Sequence, residues 1–174
     1  MPLKPQPIAV PPASALHAQT GDADFHDAYR LPLDPGERPM LAVCRDVLFR
    51  APAWVEALMA LRNRLVRWVG LKDLGRFSAI DPARPLDSYR VGDRLGIFTI
   101  VSLADDEVVL GDNDRHLNVQ VAVCRLHEPA GARAVAVSTV VHVHNALGRL
   151  YMLFVGPAHK LIAPAVLSRA RFAA

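Results

Sequence analysis

Gly111 to Leu153 reads GDNDRHLNVQVAVCRLHEPAGARAVAVSTVVHVHNALGRLYML. A turn-like start is followed by two alternating runs joined by a short link, and HN then opens a helical stretch. In the first run Leu117, Val119, Val121 and Val123 fall on one side and His116, Asn118 and Gln120 on the other. In the second, Val135, Val137, Val141 and Val143 oppose Ser138, His142 and His144. Side chains alternate across a strand, so each run has one apolar and one polar face. Short links between consecutive strands favour antiparallel pairing. Asn145 is a good N-cap for a helix running to about Arg171, with breaks expected at Gly156-Pro157 and Pro164.

Two more strands precede this unit, Leu95–Leu103 and Glu107–Leu110, with GDND (111–114) as the next turn. Upstream, Pro39–Arg50 reads as a short helix with Pro39 in its first turn. Ala51-Pro52 ends it and starts another. There Trp54, Leu58, Leu61, Leu65 and Trp68 repeat at helical spacing, so they form one face, which packing into a core explains best. Gly70 is the expected C-cap. Asp24–Leu33 has strand character, and Arg76–Arg90 is strand or loop. The first 23 residues are expected to be irregular, with five prolines among the first 12, which leaves 24–174 as a single domain.

The order is strand, two short helices, several antiparallel strands and a long helix. It predicts an α+β fold in which an antiparallel sheet wraps around the C-terminal helix, the largest apolar element available to cover the sheet, with a general α+β sandwich as the alternative.

At 174 residues the chain can bury a core without staples. Its balance of 52% hydrophobic and 21% charged residues is globular. Seventeen arginines and three lysines leave a formal charge of only +3, scattered along the chain. No clustered nucleic-acid footprint results, so no nucleic-acid partner is expected. Cys44 and Cys124 have no metal-type spacing and read as buried thiols, with a disulfide between them as the alternative. No signal-peptide pattern follows Met1, from which a cytoplasmic location is expected. Leu150–Leu167 approaches spanning length, but Lys160 near its middle costs about 2.5–3.5 kcal/mol on insertion scales. A buried amphipathic helix is therefore expected there, not a membrane span.

Four runs, PAWVEALMALRNRLVRWVGLK (52–72), LGIF (95–98), LGDNDRHLNVQVAV (110–123) and HNALGRLYMLFVGPAHKLI (144–162), resemble an uncharacterised bacterial domain family. That family also occurs fused C-terminal to short-chain-dehydrogenase-like NAD(P)-binding domains. It is grouped with the helix-grip proteins, among them START lipid-transfer domains, birch-pollen-allergen relatives and polyketide cyclases (the SRPBCC group). The resemblance spans roughly residues 24 to 170 and implies a START-like cavity between sheet and last helix. It carries over no catalytic residue, and the chain has no Gly-rich dinucleotide fingerprint.

The leading expectation is a module that binds a small apolar molecule, such as a lipid, polyketide or aromatic compound, with no cofactor. Phe98, Tyr151 and Phe154 are expected to line the pocket. Trp54 is a further candidate, with core packing as its alternative role. A second expectation is an enzyme. Asp112, Asp114, Arg115 and His116 begin one strand, and His142 and His144 end the next. A carboxylate beside an imidazole fixes its tautomer and raises its basicity. Asp114, His116 and His144 could then bind a metal or move a proton, although ordinary turn chemistry and solvated histidines account for the same residues, and two histidines one residue apart need no metal. No Ser-His-Asp motif, phosphate loop or paired-carboxylate pattern is present. The third expectation is an interaction module whose cavity is collapsed.

Overall fold

A computed structural model of the chain describes residues 3–66, 75–76, 80–81, 83–127 and 131–172. It has the predicted α+β order. Strands β1 (Gln6–Ile8) and β2 (Phe25–Leu31) precede helices α1 (Met40–Leu48) and α2 (Ala53–Val66). Five strands follow: β3 (Arg94–Leu95), β4 (Phe98–Leu103), β5 (Glu107–Asn113), β6 (Leu117–His127) and β7 (Arg133–Val143). Helix α3 (Ala146–Leu167) comes last. The strands make one antiparallel sheet in the order β1-β2-β7-β6-β5-β4-β3, so β2 pairs with the last strand and closes the meander.

The alternation read from β6 and β7 places Val119 opposite Val141, Val121 opposite Thr139 and Val123 opposite Val137 on the face turned to the helices. One end of that face is filled. Val43, Cys44 and Val47 of α1 are fully buried against Leu31, Leu110, Val123, Val135, Leu167 at the C-terminal end of α3 and Ala170 just beyond it. Pro39 stands at the N-cap of α1 rather than within it.

The opposite face is not left to solvent, because the N-terminal segment joins the fold. β1 extends the sheet, and Val10 and Leu16 pack on Ala28, Val109, Ala122 and Val140. Ser14 Oγ donates to Glu107 Oε1 at 2.6 Å, pinning the segment across the strands. The proline run thus continues into an edge strand and a cover.

Three local expectations change. Leu95–Leu103 is split by a hairpin at Gly96-Ile97, where Gly96 takes φ 60°, a conformation that favours glycine. GDND is not the turn: Gly111, Asp112 and Asn113 extend β5 against Gln120, Val119 and Asn118, and the chain turns at Asp114-Arg115-His116. Ladder hydrogen bonds along β6 outweigh the turn preference of these residues. Helix α3 runs through Pro157 and Pro164 without a restart. Trp68 and the Gly70 cap lie outside the described residues, and of 76–90 so do 77–79 and 82; the described remainder is loop with a short 3-10 turn at Leu86–Ser88, not strand.

The largest departure concerns the helical stripes. Leu61 and Leu65 of α2, with Leu150, Leu153 and Leu161 of α3, are exposed. Only 17% of an 18-residue stretch of α3 is buried, so it is not the buried helix expected. It stays anchored at both ends while its middle stands off the sheet.

Candidate functional site

Where α3 stands off, a cavity of ≈ 540 Å³ opens between the sheet and the two helices. Its floor is the inward face of β2, β6 and β7, with Phe25, Val119, Val121, Val137 and Val141. Met152, Val155, Ile162 and Val166 of α3, at helical spacing, cover it, and Val55 and Met59 of α2 close one side. The walls are almost wholly apolar, with a few polar side chains grouped at two places.

The first group lies where α3 begins. Asn145 Oδ1 accepts from Gly148 N at 3.1 Å, and Asn145 Nδ2 donates to the Arg115 carbonyl at 2.9 Å. The first turn of α3 is thereby locked to the β5–β6 turn. His116, 2% exposed, lies beside Tyr151, ring centroids 5.0 Å apart and edge to face. Arg62 of α2 donates from Nε to Tyr151 Oη at 3.3 Å, joining the two helices. Asp112 completes the lining. Neither ring nitrogen of His116 has a hydrogen-bond partner among the described residues, and Nδ1 lies 3.5 Å from Asp114 Oδ2. Burial pushes the His116 pKa down, Asp114 opposes this, and Arg62 reinforces it. The imidazole is held neutral, with one donor and one acceptor beside the cavity.

The second group lies across the sheet. Phe25, Asp27 and Tyr29 alternate along β2 on the cavity side, and Asp27 pairs with Thr139 of β7. His159 of α3 reaches down to Asp27, Nε2 standing 3.2 Å from Oδ1 and 3.1 Å from Oδ2, with its ring edge-on to Phe25. Burial first, and then the Asp27 carboxylate, raise the Tyr29 pKa.

Asp114, His116 and His144 do come together around the β5–β6 turn. Their geometry differs from a proton-relay arrangement. His144 is exposed and outside the cavity lining, and its Nδ1–H donates to the Asp114 backbone carbonyl at 3.1 Å. The His144 N–H donates to the His116 carbonyl at 3.0 Å, so the residue staples the turn. Among the described residues no three His, Cys, Asp or Glu side chains converge as a metal site.

Phe98 and Tyr151 line the cavity, Phe98 from the sheet and Tyr151 from α3. Phe154 stands at its rim, 71% exposed, and Trp54 lies outside the lining. Sequence reasoning missed Arg62, Asp27 and His159. A signal for Asp27 existed: a carboxylate between two aromatic residues at inward positions of a strand requires a partner. Nothing in the sequence pointed to His159, 132 residues away.

A second, shallow cleft of ≈ 700 Å³ lies at the opposite edge, with Glu37, Asp106, Arg125 and Arg133 around it. These four charges are matched internally. Arg125 Nε meets Asp106 at 2.8 Å, its terminal nitrogens donate to the carbonyls of Gly36 and Arg38, and Arg133 pairs with Glu37.

The family model described as "Protein of unknown function (DUF2867)" matches residues 19–166. No curated protein and no solved structure matches the chain.

Proposed function

We propose that this chain, which belongs to the DUF2867 family, is a helix-grip module that binds an amphipathic small molecule between its sheet and α3. The observation that carries this reading is the ≈ 540 Å³ apolar cavity with polar side chains at only two stations. Pockets for small molecules have that composition, apolar walls with a few convergent polar groups. Lipid, polyketide and aromatic ligands all match the walls. At one station the nitrogens of His116, which make no hydrogen bond among the described residues, suit a hydroxyl or carbonyl on the ligand, since a buried unpaired donor costs about 1–3 kcal/mol. A void of this size also argues against a collapsed interaction module.

The test is titration with N-phenyl-1-naphthylamine, an apolar probe that fluoresces on leaving water. Saturable binding is expected for the native chain, with loss in Ala158→Trp and Val121→Phe, whose added volume falls inside the cavity. Circular dichroism checks that both variants remain folded. Equal binding by the native chain and folded variants would rule out this cavity as the site.

Acid–base catalysis is the second reading, and the Asp27–His159 pair favours it over the original trio. A carboxylate on one imidazole nitrogen orients the ring and supports proton transfer. Its test is to recover whatever molecule native mass spectrometry finds on the protein, return it, and follow its mass. Conversion by the native chain and not by His159→Gln supports catalysis; a ligand returned unchanged speaks for binding alone.

A further inference from the structure

We propose that the exposed apolar stripes of α2 and α3, which meet at the cavity mouth, form a docking surface for an anionic lipid bilayer. On α2 the stripe Trp54, Leu58, Leu61 and Leu65 lies exposed at helical spacing. On α3 Leu150, Leu153, Phe154 and Leu161 do the same, the last three each more than two-thirds exposed. Side chains of this size grouped on two adjacent helices mark an interaction site, because isolated domains rarely leave such groups in water.

Charge selects the partner. The described parts of the two helices carry Arg62, Arg64, Arg149 and Lys160 against a single acid, Glu56. That excess equals the formal charge of the whole chain, +3. A second copy placed symmetrically on this face would bring like charges together. An anionic leaflet complements both parts of the pattern, basic side chains at the headgroups and leucines below them.

Geometry fixes how the helix lies. By length and composition α3 could cross a membrane. Its first turn, however, is locked to the β5–β6 turn through Asn145, and Val166 and Leu167 are buried at its far end. His159 is paired with Asp27 beneath it. The helix therefore lies flat, as interfacial amphipathic helices do. Leu58, Leu61, Leu65 and Phe154 also rim the cavity, so docking would turn its mouth toward the acyl chains.

Flotation through a sucrose gradient tests this, using vesicles of phosphatidylcholine alone and of phosphatidylcholine mixed with phosphatidylserine. The native chain is expected to float with the mixed vesicles and less so at high salt. Leu153→Asp/Leu161→Asp changes two side chains outside the cavity lining and should abolish flotation with an unchanged melting temperature. Arg64→Glu/Lys160→Glu should lower partitioning roughly tenfold or more. A native chain that stays at the bottom overturns the proposal, as does equal flotation on phosphatidylcholine alone. A dimer in light scattering that the Leu→Asp pair makes monomeric overturns it too, since the face would then belong to a second copy.

Discussion

Gly148 approaches the backbone carbonyl of His116 so closely that a Cβ on it would stand 2.1 Å from that oxygen. Val143 Cγ1 would be 2.8 Å away. Helix α3 therefore meets the β5–β6 turn backbone to backbone, and this contact sets the height of its first turn above the sheet. Gly148→Ala is expected to destabilise the fold by about 1–3 kcal/mol, because the obstructing atom belongs to the main chain and cannot rotate away. Gly156 is the control: its nearest neighbour for a Cβ is Met152 Cε at 4.0 Å. Gly156→Ala should be neutral or stabilise by up to about 1 kcal/mol. Urea denaturation of the two variants measures both.

Asn145 acts twice at the same junction, as acceptor for Gly148 N and as donor to the Arg115 carbonyl. Asn145→Asp keeps the cap and loses the donor, while Asn145→Ala loses both. The alanine variant should cost about 1 kcal/mol or more in urea denaturation, with the aspartate variant between it and the native chain.

His116 is held neutral mainly by burial, so its folded pKa lies below the ordinary value of 6.5. The unfolded chain then binds the proton more readily than the folded one. The stability associated with this residue is fully present above about pH 7 and declines as pH falls through 6.5 toward the lowered folded value. His116→Phe keeps a ring against Tyr151 and removes the titration. Between pH 7.5 and 5.5 the variant should lose less stability than the native chain in matched urea titrations. Parallel losses would show that His116 is not the group responsible.

Cys44 and Cys124 are both buried free thiols. Burial pushes the Cys124 thiol up to about 12, with Glu107 and Asp106 adding to the effect, and raises Cys44 as well. Thiolate is the reactive form, so both should resist Ellman's reagent in the native state at pH 8. Two equivalents should react at once in denaturant. Fast labelling of one thiol without denaturant would show local opening of α1 or β6.

Much of the architecture was written locally. The alternation of Val119, Val121 and Val123 placed the inward face of β6, and Met40, Val43, Cys44 and Val47 marked the buried side of α1. Asn145 identified the start of α3. Each of these depends on the period of one element or on a cap within four residues, which neighbouring side chains determine. GDND failed because its turn preference is small beside the hydrogen bonds that β6 offers to Gly111, Asp112 and Asn113.

The α+β order, the inward faces of the strands and the grouping of apolar side chains on each helix are thus local properties of the chain. What those faces meet depends on how the elements pack. Trp54, Leu58, Leu61 and Leu65 share a stripe in either case, but the stripe is exposed because α2 lies beside a cavity instead of a packed core. Asp27 and His159 became a pair only when β2 took its place beside β7 and α3 crossed above it. Periodicity records which side chains point the same way; the distances between elements depend on how whole helices pack on the sheet, and no local window of sequence contains that.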